Sequence, residues 1–298
     1  MIISLKQMNL LKPFLFLQSL CYIYFAHSDL ERFVTKTCSH RNPSHDHNHM
    51  RAVKCNAVEI LYKEFNISKT MKQFIVCMVI ITISFLMINK YLLFLIPYIG
   101  MFFVMFFLEH IVPIYLLVIT VAWLHDVNDH KYINPETTEL TNRFLDNFCE
   151  KYAKLMDQET RSLLTTSMIF KIIERISFSR EKEFGDSDWH KILGTTGTFI
   201  RNVVSDADKW ESIGEIGITR CIEYTIEKFI EAKKIPRNRD VYQAVEKHYD
   251  EKLKFLPFFY MRTKYGKERA HDLNRLMIES LESFRRNSLE FPERVLSV

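Results

Sequence analysis

Glycine is scarce in this chain, seven in 298 residues, and no two glycines stand in a Gly-x-Gly arrangement. No Gly-x-x-x-x-Gly-Lys-Ser/Thr run occurs either, which excludes dinucleotide fingerprints and Walker-type phosphate loops. Cysteine is sparse and scattered over Cys21, Cys38, Cys55, Cys77, Cys149 and Cys221, without a Cys-x-x-Cys pair. That spacing points to reduced thiols in a cytosolic setting rather than to a disulfide framework or a zinc ribbon. A basic stripe is also missing: the net charge of +4 is spread over mixed Lys, Arg, Asp and Glu, so no nucleic-acid partner is expected. Alternating Val/Ile/Thr runs closed by Asn-Gly or Asp-Gly turns are absent, and helical spacing dominates, which predicts an all-α protein.

Charge itself is missing from one region. Charged residues make up 26% of the chain, yet Phe74 to Leu124 holds only two, Lys90 and Glu109. Divided at Lys90, this block offers Phe74 to Asn89 and Tyr91 to Leu108, each near the lower length limit for a membrane crossing, with Lys69 and Lys72 ahead of them. Ile111 to Leu124 is too short to cross and belongs to a buried helix. A two-span hairpin is one expectation. A retained intron rich in A/T-favoured codons is the other, and with it the chain would be soluble and cytosolic. A second uncharged stretch, Pro13 to Ala26, follows Lys6 and Lys12 and has the outline of a signal-like or anchoring segment. The organisation expected is an apolar segment over 1–27, one helical domain over 28–288 interrupted by an apolar insertion at 70–112, and a tail at 289–298.

Amphipathic helices are predicted at Asp29 to Val34, His49 to Phe65, Glu139 to Met156, Glu159 to Ile176, Trp189 to Val204, Asp208 to Lys233, Asp240 to Phe255 and Lys267 to Phe284. His-Asp occurs three times, at His45-Asp46, His125-Asp126 and His271-Asp272. Context selects His125-Asp126, which closes the apolar helix and so places an imidazole and a carboxylate at the edge of a dry cleft. A divalent cation needs further donors, drawn from imidazole and carboxylate together. His49 opens a helix upstream, and Asp206 and Asp208 stand in "VVSDADKWESIGEIGITR", expected at the start of the next helix. His45 and His47 are expected in a solvated loop.

The ordered set His49, His125-Asp126 and Asp208 resembles the HD-domain phosphohydrolases, in particular the small single-domain branch that hydrolyses nucleotides. The likeness is carried by "SHDHNHMRAV", "AWLHDVNDHKY", "IIERISFSREKEF", "SDADKWESIGEIGITR" and "HYDEKLKFLPFFYMRTKYGKERA", in the family's order from about Asp29 to Phe284. The resemblance implies that the final ligand is the aspartate of an Ala-Asp-Lys triplet, Asp208, with Asp206 as fallback. Asn128, Ile176, Trp210 and Glu211 depart from the family's common glycine, histidine, leucine and aspartate.

What this implies is a helical HD bundle and one divalent ion, Mn²⁺ or Mg²⁺, that activates a water against a nucleotide or related small phosphate compound. Only His130 and His190 lie between Asp126 and Asp208, too few for a two-metal site. Lys131 is expected to neutralise phosphoryl charge, Asp129 to orient the water, and Arg220 to contact substrate phosphate. Because His49 and His125 would share one ion, any membrane crossings between them must be even in number. The competing expectation is an inactive, membrane-anchored binding protein on the same fold.

Overall fold

The computed structural model describes residues 5–42, 45–66, 111–128, 132, 134–184 and 189–297. The expected apolar insertion at 70–112 therefore lies outside the described residues except for its last two positions, and Asp129 and Lys131 lie outside them entirely. Among the described residues the secondary structure is helical, apart from one isolated bridge between Arg237 and Val295. No described helix is long and apolar enough to cross a membrane.

The helices run α1 (Leu5–Cys38), α2 (His47–Glu64), α3 (residues 111–124), α4 (Pro135–Tyr152), α5 (Gln158–Leu163), α6 (Thr166–Ile173), α7 (Phe178–Phe184), α8 (Trp189–Trp210), α9 (Gly214–Glu231), α10 (Asn238–Glu251) and α11 (Lys264–Glu290). The all-α expectation holds. Several predicted boundaries move, each for a local reason. The run expected as one helix from Glu159 to Ile176 breaks at Leu164, and α6 restarts with Thr165 accepting a hydrogen bond from Met168 N. Asn134 caps α4 by accepting from Thr137 N, with Pro135 in the first helical turn, where its missing N–H costs nothing.

The expected division at residue 27 is not a structural boundary, because α1 runs through it. Ala26, Leu30, Val34 and Cys38 recur every four residues and are fully buried, so one face of α1 belongs to the core. After α11, residues 291–297 are fastened near the start of α10, where Asn238 N donates to Arg294 O and Leu296 N to Pro236 O.

At the centre lies α3. Every residue from Leu116 to Leu124 is at most 2% exposed, so this helix is apolar around its whole circumference because it is covered on all sides. Around it α2 packs on α8, α6 on α8, and α11 on α2, α8, α9 and α10. Burial at roughly 25 cal/mol per Å² of apolar surface makes such a helix strongly stabilising. It also fixes the residues at its C-terminal end.

Two further features hold the frame. Helix α8 bends at Gly194, whose φ of +67° is a left-handed conformation that favours glycine. Beneath α8, Glu181 of α7 is 2% exposed and gathers three cations: Arg201 at 3.2 Å, Lys209 at 2.8 Å and Arg262 at 2.7 Å. Arg201 also donates to the Arg175 carbonyl and lies over the Trp189 ring. This buried cluster ties α7, α8 and the approach to α11 together.

Candidate metal centre

Three chain segments bring the donors together. Asp46 caps α2 by accepting from Asn48 N and His49 N, both at 2.9 Å, which fixes His49 in the first turn with its side chain buried. His125 and Asp126 follow the last residue of α3. Their turn is held by Arg41, which reaches from beyond α1 and donates to the carbonyls of Asp126 and Val127, each at 2.8 Å. A cation at the C-terminal end of a helix satisfies carbonyls that the helix cannot, and Arg41 does so beneath the Tyr132 ring. Asp208 comes from the last turn of α8.

His49, His125 and Asp208 form a group whose donor atoms all lie within 4.8 Å of one another, a set that could hold a metal ion. His49 Nε2 is 3.4 Å and His125 Nε2 is 3.7 Å from Asp208 Oδ1. The fourth sequence-predicted ligand, Asp126, places Oδ2 at 3.8 Å from His49 Nε2 and 3.7 Å from His125 Nε2. His125 donates from Nδ1 to the Ala122 carbonyl at 2.8 Å, so in the neutral ring its Nε2 carries the lone pair. That Nε2 is buried and has no hydrogen-bond partner. A buried imidazole lone pair without a donor is costly unless a cation meets it, and so the residues fit a divalent ion.

Electrostatics agree with the geometry. Burial alone would raise the Asp126 carboxyl, but the imidazoles of His125, His45 and His49 outweigh it and leave the group well below the usual carboxylate range. Burial acts the same way on Asp208, where a hydrogen bond from His49 and the nearby His125 prevail and bring it down to about 2. Burial, with Arg220 and His125, lowers His49 despite Asp208, which favours the neutral imidazole that a cation requires. Burial would lower His125, but Asp126, Asp208 and the Ala122 carbonyl outweigh it and raise the group; the same negative surroundings that favour a proton on this ring would attract a cation in its place.

The other expected residues divide. Asp206 is not part of the centre. It is fully buried on α8 and accepts hydrogen bonds from Arg262 N at 2.9 Å, Thr263 N at 2.7 Å and Thr263 Oγ1 at 2.7 Å. It therefore anchors the start of α11. Gly266 makes this possible, since a side-chain carbon there would overlap Asp206 and Thr263. Both aspartates lie inside α8 rather than at the start of the following helix, which begins at Gly214. His45, expected in a solvated loop, instead places Nδ1 at 2.8 Å from Asp126 Oδ2. The 81-residue separation of that pair gives no local signal; only the repeated histidines of "SHDHNHM" could have suggested it. Arg220 of α9 lies beside the centre, with NH1 at 3.2 Å from His49 Nδ1.

His49, Asp126 and Asp208 open onto a cleft of about 660 Å³. Its walls include Ser177 and Phe178 at the start of α7, Tyr224 and Lys228 of α9, and Lys252 beyond α10. Such a volume suits a small organic ligand, and the wall combines aromatic rings with cations.

No protein-family model matches the chain, and no curated protein matches it. Among solved structures it is similar to a Lactobacillus plantarum protein determined as a structural-genomics target, at 19% identity over 89% of this chain and 97% of that one, with a TM-score of 0.49. It is also similar to the YpgQ protein of Bacillus subtilis in its selenomethionine form, at 18% identity over 90% of this chain and 97% of that one, again with a TM-score of 0.49.

Proposed function

We propose that the protein is a metal-dependent phosphohydrolase of the HD type, acting on a nucleotide or related small phosphate compound. The observation that carries this reading is the convergence of His49, His125, Asp126 and Asp208 from three separate segments, with His125 Nε2 buried and unpartnered at their meeting point. A divalent ion held there, Mn²⁺ or Mg²⁺, would supply a water of lowered pKa and polarise a phosphoryl oxygen.

The chain's own residues supply the rest. Two ionised carboxylates and two imidazoles match the charge and donor types of such an ion. Arg41 and the Ala122 carbonyl keep the His125-Asp126 turn from rotating, and His45 holds one Asp126 oxygen in place. Lys228 and Lys252 line the cleft beyond the centre, each lying over an aromatic ring of its wall, Tyr224 and Phe178 respectively, and would complement the remaining phosphate charge. Lys131 and Asp129 keep the roles that the resemblance implies.

The test is release of phosphate or pyrophosphate from a panel of nucleotides by the metal-stripped protein, with and without added Mn²⁺ or Mg²⁺. Activity restored by the ion, and lost in His125→Ala and Asp126→Ala, is expected. Metal bound without activity on any phosphate compound would sink the enzymatic reading and leave a binding protein.

A further inference from the structure

The two histidines of the centre are held in opposite ways. His125 gives its Nδ1 hydrogen to a carbonyl, the arrangement usual for a metal-binding imidazole, and aims a lone pair inward. At Nδ1 of His49 stands an arginine: NH1 of Arg220 lies 3.2 Å from that nitrogen and 3.1 Å from the Glu211 carbonyl. A guanidinium nitrogen has hydrogens to give and no lone pair to offer, so Arg220 donates and His49 Nδ1 accepts. A neutral imidazole that accepts at Nδ1 carries its hydrogen on Nε2, the atom 3.4 Å from Asp208 Oδ1. Held this way, His49 points a hydrogen rather than a lone pair into the centre.

We infer that Arg220 is a displaceable latch on His49: its contact with Nδ1 and coordination of a cation through Nε2 exclude one another, and the guanidinium released on cation binding takes a substrate phosphate. The inference rests on the metal-dependent reading above. For Nε2 to coordinate, the ring hydrogen must move to Nδ1, where Arg220 now donates. Two donors cannot face each other, and the arginine's charge also opposes a dication in the same cleft. The side chain has somewhere to go. Arg220 already lines the cleft, and the contacts it would leave on release are those of NH1 with the Glu211 carbonyl at 3.1 Å and with a Glu211 carboxylate oxygen at 3.7 Å. Arginine forks suit phosphate oxygens, so the released group turns from blocking the ion to binding the anion that accompanies it.

Two measurements on the full chain decide the matter. Nitrogen-edited NMR of the imidazoles, with His49 assigned through His49→Gln, reads which ring nitrogen carries the hydrogen in metal-free protein. The hydrogen is expected on Nε2 in the wild type and on Nδ1 in Arg220→Gln, whose amide oxygen can accept. Calorimetric titration with Mn²⁺ should then show Arg220→Gln binding the ion more tightly, by at least about 5-fold, the low end of usual coupling between sites. Orthophosphate should raise Mn²⁺ affinity by a larger factor in the wild type than in the variant. A hydrogen on Nδ1 in the metal-free wild type, or unchanged or weaker Mn²⁺ binding by a variant with native circular dichroism, overturns the latch. An equal phosphate factor in both proteins overturns the transfer to substrate. Wild type that binds no Mn²⁺ overturns the metal-dependent reading itself, a separate outcome from a wild type that binds while the variant gains nothing.

Discussion

Asp206 and Asp208 stand two residues apart on α8 and serve different ends, so replacing each by alanine should produce opposite phenotypes. The Asp206 side chain is fully buried and receives hydrogen bonds from Arg262 N, Thr263 N and Thr263 Oγ1. Each hydrogen bond contributes about 0.5–1.5 kcal/mol, and its loss leaves a buried donor without a partner at about 1–3 kcal/mol. Because the three share one anchor and the loop can partly relax, the total is about 3–5 kcal/mol. For a chain of this length that lowers Tm by about 6–20 °C. The Asp208 side chain is 26% exposed and sits in the same donor group as Asp126, so its removal gives up attraction to His49 and His125 but relieves repulsion. Because the attraction prevails, a net loss of up to about 2 kcal/mol is expected, smaller than that at Asp206. Thermal denaturation followed by far-ultraviolet circular dichroism, on metal-free protein and again with Mn²⁺, separates the two. Asp206→Ala should melt early yet still be stabilised by Mn²⁺; Asp208→Ala should melt closer to the wild type and not respond. An Asp206→Ala protein melting within about 2 °C of wild type, or an Asp208→Ala protein falling equally far, would refute the division of labour.

The Glu181 cluster makes stability depend on acid. Burial favours the neutral carboxyl, but Lys209 and Arg201 outweigh it and hold the group down to about 2, from an ordinary 4.5. A folded-state value below the unfolded one stabilises fully above pH 4.5, and that contribution, about 3 kcal/mol, is lost as pH falls toward 2. Urea unfolding at pH 6, 4 and 3 should show this slope, and Glu181→Gln should be less stable at pH 6 with a shallower slope; parallel slopes would discount the cluster. Divalent ions should also raise the Tm of the wild type, because an ion bound only by the folded chain at about 100 times its Kd adds about 2.7 kcal/mol. His125→Ala should lose that increment, and an increment retained in the variant would place the ion elsewhere.

Much of this was legible before any coordinates. His125-Asp126 could be singled out because a polar pair closing an uninterrupted apolar run has to sit at the edge of a core, and α3 is buried on every side. His49 was legible from its place at a helix start. What escaped depended on contacts between distant segments. "SDAD" resembles a helix-starting sequence, yet Val203, Val204, Ala207 and Trp210 continue the buried face of α8, while Ser205 donates to Ile176 O and Asp206 turns to Thr263. Glu181 sits in the charged stretch "SREKEF", where periodicity suggests solvent; its burial follows from cations 20, 28 and 81 residues away. The same holds for His45, whose partner Asp126 is joined to it by the fold alone.

The most direct test of a metal-dependent phosphohydrolase is a paired measurement on one preparation: bound Mn²⁺ per chain, and phosphate or pyrophosphate released from nucleotides, before and after stripping the ion. The expected result is one ion per chain, activity that disappears with it and returns with it, and loss of both in Asp208→Ala while the fold persists. Phosphate release that continues unchanged in the stripped protein, or a wild-type chain that retains no divalent ion, would contradict it.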